Sequence, residues 1–199
     1  MSLLFESIQI FDGQPQRLDY HNDRLNRSRN QLICSHADIY LEDFINIPDK
    51  FSQGKVKCRI DYGQDMNKIE FSHYQEKRFL GFKMIDIGFN YDFKYGDRSA
   101  FDELKKDVQK SIEFILVKGG FISDTTFSNI IFKDKNGQWF TPHRPLLEGI
   151  QREFLLDEGI IKEAEIKPID LKKYTHFMLI NAMLDFDLQR VYDIGLVKR

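Results

Sequence analysis

Lys94, in "FKYGDRSAF", stands between Phe93 and Tyr95 and just ahead of Asp97-Arg98, where an ammonium is poorly solvated. Two readings follow from the residue types. The lysine either packs its stem on the rings and keeps its head in water, or it loses its charge and becomes a nucleophile. Other residues of suitable chemistry are scattered along the chain. Arg24 follows His21 in "HNDRLNRS", Asp124 sits in "GGFISDTTFSN", and Gly149 precedes Ile150-Gln151. Arg59 alternates toward one sheet face with Asp61, a placing that suits either a substrate carboxylate or solvent, and Tyr62 and Tyr95 are similar cases. Taken singly, each has an ordinary explanation: a solvated helix arginine, a turn aspartate, a cap glycine, a packed histidine. Cys34 and Cys58 are too few for a disulfide framework, and His73, His143 and His176 are not spaced as metal ligands, so no metal is expected and the cysteines read as buried thiols.

The elements that must carry these residues are legible in outline. Residues 3–10 alternate as a strand, broken by Gly13 and Pro15. A helix follows in "LDYHNDRLNRSRNQL", with Leu18, His21, Leu25 and Leu32 on one stripe, Asp19 as its N-cap, and Arg24, Arg27 and Arg29 off or beside the stripe. "ADIYLEDFINI" reads as a second amphipathic helix, ended by Pro48. Strands are expected at Val56–Tyr62, Lys68–His73 and Gly81–Ile87. The aromatic, glycine-broken stretch "GFNYDFKYGDRS" is the expected joint, with residues 1–87 an N-terminal α+β domain and 88–199 a C-terminal cofactor-binding domain. Beyond it come a helix in "SAFDELKKDVQKS" capped by Ser99, the strand "IEFILV", the turn "KGG", and one strand "FISDTTFSNIIF". The Asn136-Gly137 hairpin, the strand "WFTP", a helix near "LEGIQREFLLDEG" and a last strand near "HFMLINAML" complete the reading.

Composition excludes several functions. The net charge of -2, with Lys and Arg spread along the chain, gives no electrostatic footprint for nucleic acid. No apolar run approaches the roughly 20 residues that span a bilayer, and "MSLLFESIQIFDG" lacks the basic and long apolar parts of a signal peptide. A cytoplasmic enzyme or binding protein is the expectation.

Three segments, "HNDRLNRS", "FKYGDRSAF" and the run from Gly120 to Arg152, occur in an order and spacing that resembles class IV aminotransferases. Within the last run, Asp124, Ser128-Asn129, Thr141-Pro142 and Leu147-x-Gly149-Ile150-x-Arg152 carry the likeness. The family binds pyridoxal 5'-phosphate and includes branched-chain and D-amino acid transaminases and aminodeoxychorismate lyase. The resemblance implies a two-domain, α+β, fold-type IV architecture and a homodimer acting on a small amine-bearing substrate. It implies that Lys94 is the Schiff-base lysine and general base, its amine rendered neutral by Phe93 and Tyr95. Asp124 takes the place of the acid, commonly Glu, that faces the pyridine nitrogen. Arg24 matches the phosphate arginine, Gly149, Ile150 and Gln151 the turn whose amides face the phosphate, and Asn181 and Ala182 the last phosphate-side turn. The motif Lys94-x-x-Asp97-Arg98 and "INAML" lie nearer the lyase pattern, which implies pyruvate elimination to leave an aromatic amine. A transaminase and a non-catalytic relative that binds the cofactor remain as alternatives. The chain begins almost at the segment matching "FESIQI", which implies a more open pocket or one closed by another subunit.

Overall fold

The computed structural model describes residues 3–35 and 37–198. Its contacts gather into two units, one running to Gln75 and taking in Phe93–Asp97, the other made of Glu76–Asp92 and the chain from Arg98 onward. Among the described residues no helix is long and apolar enough to cross a membrane.

The first unit is an antiparallel sheet with one helix. Strand β1 (Leu4–Phe11) turns back into the two-residue β2 (Gln14–Pro15), helix α1 spans Leu18–Ile33, and β3 (Lys55–Tyr62) and β4 (Met66–His73) complete the order β2-β1-β3-β4. β3 shows why it is a strand: half-buried and buried residues alternate without a break, and Val56, Cys58, Ile60 and Tyr62 face the core. Leu4, Ile8 and Ile10 of β1 join them, with Leu25 and Leu41. Glu6 falls in the same alternation, between Leu4 and Ile8 and opposite Ile60, and is fully buried. A carboxylate thus stands on the apolar face of the sheet, which needs a partner there.

The stretch around Lys94 is bound to β1. The Phe5 N–H donates to Lys94 O at 3.0 Å, the Gly96 N–H to Leu3 O at 3.0 Å, and Leu4 bridges Tyr95. Residues 76–92 go with the later sheet, because β5 (Gly81–Asp86) pairs in parallel with β6 (Ile112–Lys118) along its whole length. The chain therefore divides differently from the single boundary expected between residues 87 and 88.

The second unit holds the remaining elements: α2 (Ser99–Lys105), β7 (Phe121–Thr125), β8 (Asn129–Asp134), β9 (Trp139–Pro142), α3 (Ile150–Asp157), β10 (Ile161–Ala164), β11 (Tyr174–Ile180), β12 (Tyr192–Asp193) and β13 (Val197–Lys198). They form two sheets, β13-β5-β6-β7 and β10-β9-β8-β11-β12. The hairpin from β6 to β7 closes on Gly119 and Gly120, both with positive φ, as a two-residue turn with right-handed strand twist demands. The hairpin through Asn136-Gly137 joins β8 to β9 as expected. β9, α3 and β10 make a crossover unit with the two strands parallel.

Three expectations fail for identifiable reasons. "ADIYLEDFINI" forms only a single 3-10 turn, Leu41–Asp43. Asn26 Oδ1 accepts the Ile39 N–H and Asn22 Oδ1 the Leu41 N–H, both at 2.9 Å, so α1 holds this segment extended up to the turn. "FISDTTFSNIIF" is not one strand but β7 and β8, in different sheets, with a corner at Thr126–Ser128 tied by Thr125 and Ser128 hydroxyls at 2.7 Å. The helix from Ser99 stops at Lys105, since only Phe101 of its residues is buried, and its N-cap is Arg98 rather than Ser99. Likewise α1 is capped by Arg17, with Asp19 inside its first turn, and Arg24 and Arg29 lie on its buried face. Cys58 is buried as expected, whereas Cys34 is exposed.

Candidate functional site

In the first unit the buried face of α1 meets Glu6. Arg24 donates from Nε to Glu6 Oε1 at 2.9 Å and from Nη2 to Oε2 at 2.5 Å, a side-on bidentate pair. His21 Nδ1 lies 2.7 Å from Oε2. Burial alone would raise the Glu6 pKa, but the Arg24 charge and the bonds from His21 and Arg24 outweigh it and bring the carboxyl down to about 2. Glu6 is therefore an ionised acceptor, and His21 must carry its proton on Nδ1 to bond it. Burial pushes the imidazole down, as do the Arg24 and Lys94 charges, more than the Glu6 contact lifts it, so His21 is neutral at pH 7. Glu6 was absent from the sequence reading. Its signal was available: a charged residue at a core position of an alternating strand.

Lys94 is half-buried, and its neighbours differ from those expected. Phe93 and Tyr95 pack on the core cluster and on each other, with ring centroids 5.9 Å apart. Alternation along the chain sends the lysine the other way, where its Nζ lies 4.7 Å from the centre of the Phe5 ring. Arg59 stacks on the same ring at 3.9 Å and pairs with Asp61 at 2.7 Å. The aromatic that meets the amine is thus Phe5, directly across the strand pair. Tyr62 points inward, and burial pushes its phenol well above the usual range.

In the second unit Asp124 is buried at the end region of β7. Its Oδ1 accepts from Asn129 Nδ2 at 2.8 Å, and its Oδ2 from the Leu146 and Leu147 N–H groups at 2.8 and 2.9 Å. Burial raises its pKa to about 6 in spite of those bonds. Gly149 is the N-cap of α3, and Ile150 and Gln151 of the first turn are buried. The Gln151 Oε1 is buried without a partner among the described residues. Asn181 closes the end of β11: its Oδ1 accepts the Met183 N–H at 2.8 Å, its Nδ2 donates to Phe127 O at 3.3 Å, and Ala182 sits half-buried within that turn. Asn181 and Asp124 are thereby both tied to the corner between β7 and β8. Among the described residues no group of three or more His, Cys, Asp or Glu is arranged to hold a metal.

Glu6 and Asp124 predict opposite pH effects on stability. The folded pKa of Glu6 lies below its usual value of 4.5, so its contribution is present above pH 4.5 and is lost as pH falls toward 2. That of Asp124 lies above 3.8, so its contribution is full below pH 3.8 and is lost as pH rises through about 6. Asp124→Asn is expected to remove a stability loss of up to about 3 kcal/mol between pH 4 and 6. Urea denaturation across that range checks this; a slope equal to that of the wild type would assign the pH dependence to other groups.

Comparison with known proteins fits these features. Residues 93–186 match the family described as Amino-transferase class IV. An uncharacterised protein of Haemophilus influenzae is 34% identical over 183 residues, covering 90% of this chain and 97% of that protein. The crystal structure of a Haemophilus somnus protein provisionally named 4-amino-4-deoxychorismate lyase superposes with a TM-score of 0.84 at 33% identity, covering 94% of this chain and 98% of that one. A hypothetical aminotransferase from Mycobacterium tuberculosis in its PLP-bound form has the same fold, with a TM-score of 0.76 at 14% identity over 99% of this chain and 81% of that one. The signature segment around Lys94 through Asn181, the mixed α+β architecture and end-to-end similarity at one-third identity all agree: the chain belongs to the class IV aminotransferase family and has its fold-type IV architecture.

Proposed function

We infer that the protein is a pyridoxal 5'-phosphate-dependent lyase acting on an aminodeoxychorismate-like substrate. The observation that carries this is the likeness to the Haemophilus somnus protein over nearly the whole length of both chains, together with the presence of Lys94, Arg24 and Asp124 in this sequence.

Three features of the chain fit the cofactor. Asp124 has three donors on a carboxylate able to accept about four, which leaves an acceptor direction on Oδ1 for a ring N–H. The first turn of α3 opens with a glycine and a buried Gln151, whose Oε1 lacks a partner among the described residues; turned about its Cγ–Cδ bond, that amide would place N–H groups there for an anion. Arg24 is held flat by Glu6 through its Nε and Nη2, which fixes the plane of the guanidinium. Lys94 would hold the cofactor covalently, Asp124 its ring nitrogen, and Arg24 with Gly149, Ile150, Gln151, Asn181 and Ala182 its phosphate. When bound, the cofactor supplies an electron sink for the substrate carbon that bears the amine.

The work of the chain itself is then proton movement and positioning. Lys94 Nζ takes the proton from the amine-bearing carbon, and the C–O bond to the enolpyruvyl group breaks as the ring becomes aromatic. A proton returned to the methylene carbon of that group gives pyruvate. Arg59, stacked on Phe5 beside Lys94, exchanges Asp61 for a substrate carboxylate, with Tyr62 and Tyr95 behind it in the core. The same reading makes the protein a cytoplasmic homodimer.

Product analysis tests the reading. Purified protein with aminodeoxychorismate is expected to release pyruvate and an aromatic amine in equal amounts when no keto acid acceptor is added. Amino transfer that requires a keto acid acceptor would establish a transaminase instead. A cofactor absorbance that no amine alters would establish a binding protein without turnover.

A further inference from the structure

The Ser128-Asn129 motif has no part in the chemistry above, yet Asn129 is almost wholly buried and both N–H groups of its amide are engaged. Its Nδ2 donates to Asp124 Oδ1 at 2.8 Å and to Leu147 O at 2.9 Å. Asp124 Oδ2 in turn accepts from the N–H groups of Leu146 and Leu147. Two side chains at the corner of β7 and β8 thus hold three backbone groups of the segment that leads into α3. Gly149 follows at once, and a Cβ built on it would stand 1.9 Å from Asn129 Oδ1 and 3.0 Å from its Cγ. The backbone there is extended, with φ -90 and ψ 141, a conformation open to any residue. Glycine is required at this position by its close contact with Asn129 rather than by its backbone angles.

We propose that Asn129 and Asp124 are positioning residues for the anion seat at the start of α3: they lock the Leu146–Gly149 segment against the β7–β8 corner, and Gly149 is the tooth that lets the lock close. Fixing three points just ahead of the helix sets the direction of the Ile150 and Gln151 N–H groups, whose value to an anion depends on alignment. Loss of the lock should weaken recognition of the phosphate and leave recognition of the pyridine ring nearly intact. This rests on the cofactor reading above.

The test compares pyridoxal 5'-phosphate with pyridoxal, which lacks the phosphate. The wild-type protein is expected to prefer the phosphorylated form strongly. Asn129→Ala is expected to reduce that preference about tenfold or more, with pyridoxal affinity changed by about twofold at most, and to speed hydrogen exchange at the Leu146 and Leu147 amides. Gly149→Ala should lose the same preference by pushing Asn129 aside. In the double variant the added methyl meets no amide, so the combined loss is no greater than that of Gly149→Ala by itself. If Asn129→Ala fails to fold, Gly149→Ala carries the test, since it keeps both locking side chains. Wild-type preference retained in Gly149→Ala or in a folded Asn129→Ala would overturn the lock. A wild-type protein that binds both forms equally, or neither, would overturn the cofactor reading and the lock with it.

Discussion

Lys94→Ala is expected to abolish the borohydride-trapped covalent adduct with pyridoxal 5'-phosphate and to lower turnover by about three orders of magnitude or more. Wild-type protein, treated with the cofactor and reduced, should yield one modified peptide, containing Lys94. The argument rests on the setting of this amine. It is half-buried, pinned through its own carbonyl to the Phe5 N–H, and lies over the Phe5 ring at 4.7 Å with Arg59 on the same ring. An ordinary surface lysine is not held by the backbone of a core strand in this way. The aromatic face seats the amine, and the Arg59 guanidinium shares that ring. Lys94→Arg separates packing from chemistry, because it keeps the charge and the ring contact but has no amine to condense. Modification of another lysine, or an adduct that persists in Lys94→Ala, would remove the assignment.

Glu6→Ala is expected to destabilise the protein by about 3–5 kcal/mol, with a lower urea midpoint and an unchanged m-value. The carboxylate is fully buried, and Arg24 is only 5% exposed. Removing one partner leaves a guanidinium in a site that excludes water, and leaves the His21 Nδ1–H without its acceptor. Replacing both partners, as in Glu6→Gln with Arg24→Met, should restore most of the loss in stability, since no charge is then stranded. It should not restore phosphate binding if Arg24 grips that group. A Glu6→Ala protein as stable as the wild type would show that water reaches the pair in solution. Stability and cofactor affinity thus answer different questions at the same two residues.

Much of the local structure could be read from residue order. The alternation in β3 and the Gly119-Gly120 and Asn136-Gly137 turns are properties of neighbours within a few residues, where period and turn chemistry act. The spacing of Lys94, Asp124 and the Gly149 turn also needed no coordinates, and it led to the family. The same local rules failed where distant groups took over. The helix expected from residue 37 gave way to capture of its backbone by Asn22 and Asn26. The run from Phe121 to Phe132 broke at a corner whose polar residues bond to one another, to Glu113 and to Arg98.

Order along the chain, then, determined the candidate residues and the buried face of strands such as β3, because a period of two reports burial directly. Only the tertiary structure decided their partners: Glu6 for Arg24, Phe5 rather than Phe93 for Lys94, and the Leu146 and Leu147 amides for Asp124. A buried charge must find a complement, but a repeat of two or 3.6 residues says only that a side chain points inward. Which group waits there is set by strand pairing between segments far apart in the chain, and no local pattern encodes it.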